Sequence, residues 1–275
     1  MYRLFTVAVV ILWGSAMTAL FVRDVWPAWS AQDAPPLKPE SIAEIAERDH
    51  QYGIYRDNER LGTAWSTITG NAYNATIRGT LVIEAQSFLP AVRIESETQF
   101  DDTGGLDGFW LRVYGLPLTR IHIRGERRGI YFPCEIHAGP FHRQANLDMS
   151  ATRLIGDSLR PFSYLPELEV GQSWRMQLLD PMSAVLGGKA RFKSIVARVV
   201  GMETINFQNR QVNCFVVETS PEKVTAWVGP DGEILLQEVE LPGIGRVQTR
   251  SEPYDRMLRI RKTRAVFGEN EADIP

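Results

Sequence analysis

The sequence predicts a mainly β protein, in which an antiparallel sheet is rolled into an open barrel or clam behind one N-terminal transmembrane helix. Two observations lead to this fold class. A stretch of about 19 uncharged and mostly apolar residues stands near the start of the chain, which is the length that a helix needs to cross a bilayer. From residue 50 onward, apolar side chains recur mainly at every second position, which is the period of a strand with one buried face.

The N-terminal stretch, residues 4–22, favours an uncleaved signal-anchor. A cleaved signal peptide has an apolar region of about 7–15 residues followed by a site of small residues. Here the apolar region is longer, and the best cleavage site, at residues 28–30, lies well beyond its end. Trp26 and Trp29 stand where an aromatic belt at the membrane interface is expected. We therefore expect a single-pass protein of the inner, cytoplasmic membrane with its domain in the periplasm or outside, and cleavage of the stretch is the alternative.

The chain divides into four parts. Residues 1–22 form the anchor, and residues 23–40 contain four prolines, which is typical of an extended spacer. Residues 41–267 are predicted to be the β-rich extracytoplasmic domain, and residues 268–275 are an acidic tail. The alternation of apolar residues leaves open whether the β-rich part is one domain or two.

Period-two alternation predicts most of the strands, and turn chemistry predicts several of the hairpins between them. The clearest turn is the Gly-Pro-Asp-Gly sequence at residues 229–232. A loop is also predicted over residues 203–210 and a turn over residues 124–129. Helices are expected over residues 40–50 and near 145–159, and residues 255–264 are read as a short helix or strand. The predicted strands cover residues 52–55, 64–69, 75–85, 91–100, 109–114, 118–123, 130–137, 173–178, 190–200, 211–219, 224–228, 233–240 and 245–250.

Composition excludes some classes of partner. Apolar residues make up 44% of the 275 residues, so the chain has enough apolar surface for a packed core. The formal net charge is −3, from 30 basic and 33 acidic residues. Proteins whose main partner is a nucleic acid need a strong basic excess to neutralise phosphates, so none is expected here.

No signature of catalysis occurs in the sequence. It lacks the nucleophile elbow, the zinc-protease helix motif, the phosphate-binding loop and the dinucleotide fingerprint. The Cys-x2-His-x4-His spacing of Cys134, His137 and His142 is loosely metal-like, but no fourth ligand is evident. Three carboxylates in residues 101–108 do not follow the calcium-loop pattern, and a glycine-rich turn explains them better. The prediction is therefore a non-enzyme with no metal and no cofactor.

Three groups of residues are candidates for structural or binding roles. Cys134 and Cys214 either form a disulfide, as an oxidising compartment would permit, or are two buried free thiols. The arginines around one predicted turn offer contacts for an anionic group, with a solvated hairpin tip as the alternative: Arg120, Arg124, Arg127 and Arg128. Aromatic residues on the predicted strands and turns either fill a closed core or line a lipophilic groove: Trp65, Trp110, Tyr114, Tyr131, Phe162, Tyr164, Trp174 and Trp227.

The C-terminal half has a recognisable succession of motifs. Residues 168–188 contain Gly-x-x-Trp and Asp-Pro-x-Ser-Ala, and residues 193–219 contain a Val-x-Gly-x-Glu strand and a Cys-x-Val-x-Glu strand. Residues 223–245 form a Trp-Val-x-x-Asp-Gly-x-Ile-Leu hairpin. Over about residues 50–250 the chain resembles an uncharacterised bacterial envelope family of β-clam proteins, similar in shape to periplasmic lipoprotein carriers. The resemblance implies an incurved sheet that holds an acyl chain or a partner peptide, and it supplies no catalytic residue.

Three functions follow from these features. The first is a non-catalytic, membrane-tethered binding module for a lipid or an envelope protein. The second is a structural subunit of a membrane complex, in which Gly14, Ser15 and Ala16 pack against another helix. The third is a metal- or Cys-dependent hydrolase that uses Cys134, with His137 and His142.

Overall fold

A computed structural model describes residues 2–21, 49–71, 73–85, 91–115, 120–129, 131–147, 155–157, 162, 164–165, 167–180, 191–241 and 245–265. Within these ranges the chain forms two helices and fifteen strands, and all fifteen strands belong to one sheet. The helices are α1 (Tyr2–Leu20) and α2 (Arg256–Ala265). The mainly β class is therefore confirmed.

The strands alternate with short connections along most of the chain. They are β1 (Asp49–Arg56), β2 (Glu59–Gly70), β3 (Ala75–Ile83), β4 (Val92–Phe100), β5 (Leu106–Tyr114), β6 (Ile121–Glu126), β7 (Phe132–Ala138), β8 (Phe141–Leu147), β9 (Ile155–Asp157), β10 (Ser173–Asp180), β11 (Arg191–Phe207), β12 (Arg210–Ser220), β13 (Val224–Val228), β14 (Ile234–Leu241) and β15 (Gly245–Glu252).

The sheet consists of two meanders that meet at one seam. Its strand order is β8-β7-β6-β5-β4-β3-β2-β1-β15-β14-β13-β12-β11-β10-β9. Every neighbouring pair is successive in the chain except β1 and β15, whose antiparallel register runs from Gln51 opposite Glu252 to Tyr55 opposite Gln248. All pairs are antiparallel apart from the short parallel pair of β9 and β10. The sheet is open, with β8 and β9 as its edges among the described strands.

Alternation along the strands separates a buried face from a solvent face. In β6, for example, Ile121 and Ile123 are buried and Arg124 is exposed, because successive side chains of a strand point to opposite faces. The buried faces of both meanders contribute to a single hydrophobic cluster. The rolled sheet thus encloses one core, which Ile54 of β1 and Val217 of β12 share.

A segment between β9 and β10 fills part of the interior. Phe162, Tyr164, Leu165 and Leu168 are buried and belong to the core cluster. The fully buried Gln237 of β14 fixes the segment, since its amide accepts a hydrogen bond from the Phe162 N–H and donates one to the Phe162 carbonyl, each at 3.1 Å. The connection between β9 and β10 therefore contributes two aromatic side chains to the core.

Helix α2 covers the outer face near the seam. Asp255 caps its N-terminus, because its carboxylate accepts the N–H of Leu258 at 2.9 Å. The buried Gln51 of β1 accepts hydrogen bonds from the Asp255 N–H at 3.1 Å and from the indole of Trp65 at 3.0 Å. Arg259 reaches Asp49 at 3.5 Å. Trp65, which stands opposite Gln51, is also buried but is not part of the core cluster.

Several predicted boundaries are wrong, each because a strand continues where a turn or helix was expected. Strand β6 continues to Glu126, through the first half of the turn predicted over 124–129, so the turn itself is confined to residues 127–129, with Gly129 at φ +65°. Strand β11 continues through most of the predicted loop at 203–210 to a tight turn at Gln208 and Asn209. The helix predicted near 145–159 is extended wherever it is described, at the end of β8 and in β9. The helix predicted over 40–50 lies outside the described residues, apart from its last two positions, which belong to β1.

Helix α1 occupies the place of the predicted anchor. Within the described part of the chain, no helix combines the length and the apolar character that crossing a membrane requires. This finding does not support the transmembrane span predicted at residues 4–22, which stays a prediction.

Candidate functional site

Most of the predicted groove aromatics are packed into the protein. Phe162, Tyr164 and Trp174 lie in the core, and Trp65 is buried outside the core cluster, with its indole bonded to Gln51. Trp110, Tyr114 and Trp227 are half-buried, and Tyr131 is 63% exposed. The structure does not bring these eight residues together, because neighbouring positions on the strands face opposite sides of the sheet.

The predicted anion-binding arginines are partly engaged within the protein. Arg127 donates to Asp101 at 2.5 Å, and Arg124 lies 3.7 Å from Glu126. Arg120 and Arg128 are exposed. The other Asp101 oxygen accepts the N–H groups of Thr103 at 3.0 Å and Gly105 at 2.8 Å, so this carboxylate orders its own loop.

The cysteines do not form a disulfide. Cys134 on β7 and Cys214 on β12 are both free and buried, and the two strands are far apart in the sheet order. Burial raises the pKa of the Cys134 thiol to about 12, so it carries almost no thiolate at neutral pH. Cys134 also faces the core whereas His137, three residues later, faces solvent. The Cys–His nucleophile and the Cys–His metal site are therefore both excluded by the side from which each residue projects.

Three of the four histidines form a row on the outer face of the sheet. His122 of β6 is directly opposite His137 of β7, which is directly opposite His142 of β8. The rings of His137 and His142 stack with centroids 4.3 Å apart, and those of His122 and His137 with centroids 6.4 Å apart. The short connection between β7 and β8, with Gly139 at φ +57°, holds the last two in register. Sequence spacing alone did not single out this row.

Charged groups surround the histidine row unevenly. Glu135 shares the outer face of β7 and brings a carboxylate oxygen to 3.9 Å from Nε2 of His137. Arg112 stands opposite His122 on β5, and its guanidinium lies over the Trp110 ring at 5.0 Å. Burial, followed by the nearby charge of Arg112, lowers the pKa of His122 below its ordinary value. One end of the row is thus half-buried beside an arginine, and the other end is open to solvent beside a carboxylate.

Strand β8 is an exposed edge. Phe141, His142, Arg143, Gln144 and Asn146 are all exposed, although they alternate between the two faces of the sheet. Phe141 is 75% exposed. Among the described strands β8 has only β7 as a neighbour, so every second residue directs its N–H and C=O groups away from the sheet.

A polar pocket of about 550 Å³ lies where the β11–β12 turn approaches the seam. It contains a serine, a histidine and a glutamate, but not in a catalytic order. Ser251 donates its hydroxyl to Glu233 at 2.9 Å, and Nδ1 of His50 lies 3.5 Å from the same oxygen. A serine nucleophile needs its hydroxyl bonded to the imidazole base. Here the carboxylate takes that hydrogen bond, and the arrangement is structural.

Glu252 binds the seam together at the margin of this pocket. Its carboxylate accepts hydrogen bonds from Tyr55 at 2.6 Å, Arg60 at 2.7 Å and Gln51 at 3.3 Å, which lie on β1 and β2. Burial by itself would raise the pKa of Glu252, but these hydrogen bonds and the charge of Arg60 outweigh burial and lower it. The carboxylate is therefore more acidic in the folded protein than in the unfolded chain.

Changing Glu252 to glutamine is expected to reduce the acid sensitivity of the fold. The lowered pKa means that the stabilisation is fully present above the ordinary glutamate pKa of 4.5 and is lost as the pH falls through the lower folded pKa. At pH 7 the variant should lose about 2 kcal/mol of unfolding free energy, because charged hydrogen bonds are weakened. Urea unfolding at pH 7 and at pH 3 measures both effects. If the parent protein and the Glu252→Gln variant lost the same unfolding free energy between pH 7 and pH 3, this role for Glu252 would be contradicted.

Two solved structures are similar to this chain in outline. One is a β-barrel-like protein of the domain of unknown function DUF1849 from Brucella abortus, with 10% identity and a TM-score of 0.47, matched over 75% of this chain and 97% of that one. The other is a DUF1089 family protein from Pseudomonas aeruginosa, with 14% identity and a TM-score of 0.38, over 66% and 90% of the two chains. No family model and no curated protein matches the chain. The resemblance to an uncharacterised β-clam family is thus accompanied by structural neighbours that are themselves of unknown function.

Proposed function

We propose that this chain is a non-catalytic binding module of the cell envelope, held at the inner membrane by its N-terminal helix, which receives an extended segment of a partner protein along β8. The observation that carries the proposal is the open edge of β8. Its side chains are exposed on both faces, and an unpaired strand edge offers main-chain donors and acceptors to an incoming strand.

The occupied interior favours a protein partner over a lipophilic ligand. An acyl chain needs a vacant apolar cavity, whereas here Phe162, Tyr164 and Leu165 are packed into the core, and Gln237 fixes their segment. At the β8 edge, by contrast, Phe141 is 75% exposed. An exposed aromatic side chain beside a free strand edge suits a segment that pairs through its main chain and packs one apolar side chain.

The first helix supports a tether. Among the side chains that the structure describes on this helix, those of Ile11, Leu12 and Trp13 are each more than 60% exposed. Moving so many exposed apolar side chains out of water lowers the free energy, whether they enter a bilayer or pack against other helices. The second candidate function is a structural subunit of a membrane complex. In that case helices of other subunits would cover the exposed side chains of α1.

Site-specific photo-crosslinking in intact cells tests the proposal. A photoreactive residue is placed in turn at Phe141, His142, Arg143 and Gln144, and the membrane fraction is then analysed by mass spectrometry. We expect crosslinks to one protein, with the crosslinked partner residue moving along the partner in step with the position on β8, because two paired strands keep a fixed register. The chain itself is expected in the membrane fraction.

Arg246 of β15 is the matched control position. Its side chain is 74% exposed, like those of β8, but β15 has neighbours on both sides. Crosslinks as abundant from position 246 as from β8, or partner sites that show no fixed register, would exclude strand addition. Adducts formed with lipid alone would favour the lipophilic-ligand alternative.

A further inference from the structure

We propose that Glu135, His137 and His142 form a binding site for a divalent transition metal ion of the Zn²⁺ class on the outer face of the β7–β8 hairpin. This inference goes beyond the proposed function and does not depend on it. It rests on three ligand-bearing side chains that the hairpin places on one face, two on β7 and one on β8.

The geometry suits a shared ion. One ligand atom from each of the three residues can be chosen so that all three lie within 4.8 Å of one another. Zn²⁺ bonds to imidazole and carboxylate at about 2.0–2.2 Å, so the ligand atoms of a tetrahedral site are separated by about 3.4 Å. All three side chains are exposed, so small rotations about their side-chain bonds can close the remaining gap without disturbing the packed core.

The donor set selects the class of ion. Two imidazoles and one carboxylate suit zinc, copper or nickel, whereas magnesium and calcium prefer oxygen ligands throughout. Three protein ligands leave at least one position of the coordination shell open to water or to another donor. With an open position, the set differs from a closed structural zinc site. It also differs from the Cys-containing set that sequence spacing suggested, because Cys134 faces the core.

Neighbouring cations do not occupy the site. Arg124 stands opposite Glu135 on β6, but its guanidinium lies 3.7 Å from Glu126. Arg112 lies over Trp110, at the far end of the histidine row. Arg143 of β8 belongs to the opposite face of the sheet from His142, since successive residues of a strand alternate.

A bound ion would join the edge strand to its neighbour. Its ligands lie on both strands of the hairpin, so the ion would hold β8 against β7 from the outer face. Binding only to the folded hairpin would also stabilise it by mass action.

Isothermal titration of the full chain with ZnCl₂ tests the site, using protein purified without a polyhistidine tag. We expect saturable binding of one ion. Loss of an outer-shell partner typically weakens metal binding about 10–100-fold, and loss of a ligand should cost at least as much. Replacing His137 or His142 with alanine should therefore weaken that binding about 100-fold or more, and Glu135→Gln, which keeps an oxygen donor, about 10-fold. MgCl₂ should give no saturable heat.

His50→Ala is the matched control, because it removes the one histidine outside the row, which lies beside Glu233 at the seam. This variant should bind Zn²⁺ as the parent protein does. Histidine ring resonances in NMR spectra provide a second readout: those of His137 and His142 should shift on Zn²⁺ addition while that of His50 stays in place. Binding that survives both His137→Ala and His142→Ala, or no saturable binding by the parent, would overturn the inference.

Discussion

Replacing Trp174 with alanine is expected to lower the free energy of unfolding by about 3–5 kcal/mol. The indole is fully buried on β10 and stands directly opposite Ala197, a small residue that leaves room for it. Strand β11 pairs with β10 along its whole length, and the neighbouring Met176 and Ile195 are buried as well, so the surrounding structure cannot readily collapse into the space that the indole leaves. Far-UV circular dichroism during urea unfolding measures the loss.

Two variants separate the cavity from other effects. Trp174→Phe should cost much less than alanine, since it leaves a smaller cavity, and the indole N–H that it removes has no hydrogen-bond partner among the described residues. Trp110→Ala is the surface control, because Trp110 is only half-buried against Arg112, and about 1 kcal/mol is expected. Equal losses for the two alanine variants would mean that the interior beside β10 is not tightly packed.

Replacing Gly125 with alanine is expected to cost about 3 kcal/mol, near the upper end for overpacking of a core. A Cβ atom at this position would lie 2.6 Å from a ring carbon of Phe109, 2.6 Å from one of Phe132 and 2.8 Å from Sγ of Cys134. The two rings stack with their centroids 5.9 Å apart. Adding a methyl group there must displace two buried aromatic side chains, and thermal and urea unfolding report the result.

Gly108→Ala is the matched control for this prediction. Gly108 lies on the neighbouring strand β5, where a Cβ atom would meet nothing closer than 3.5 Å. Its replacement should change the unfolding free energy by less than about 1 kcal/mol. A similar cost at both positions would show that loss of glycine from these strands, rather than the packing of Phe109 and Phe132, is responsible.

Gly125 also shows where sequence reasoning succeeded and where it failed. Alternation correctly identified β5 and β7 on either side, because one face of each strand is buried along its length. The run Arg-Gly-Glu-Arg-Arg-Gly was interpreted as a turn, since glycine and charged residues are typical of turns. In the structure Gly125 has an ordinary strand conformation. Glycine is needed there because two aromatic rings from other strands leave no room for a larger side chain. Such a reason depends on tertiary packing and has no local signal.

The histidine row had a partial signal that was overlooked. Within a predicted strand over residues 130–137, Glu135 and His137 share a face, whereas Cys134 lies on the other, so alternation alone separates the cysteine from the histidine. The contribution of His142 depends on the register of β7 and β8, and that of His122 on the pairing of β6 with β7. Spacing in the sequence grouped the wrong residues because it took no account of which face each one occupies.

The seam between β1 and β15 has a consequence for chain entropy. Apart from the short parallel pair of β9 and β10, every other strand contact closes a short loop between successive strands, whereas the seam joins residues about 200 positions apart. Loop-closure entropy grows only with the logarithm of loop length, so each doubling adds about 0.6 kcal/mol. The large sheet therefore requires one distant closure, and its contact order stays low for an all-β protein of this size. Glu252, with partners on β1 and β2, stabilises the one contact that chain connectivity favours least.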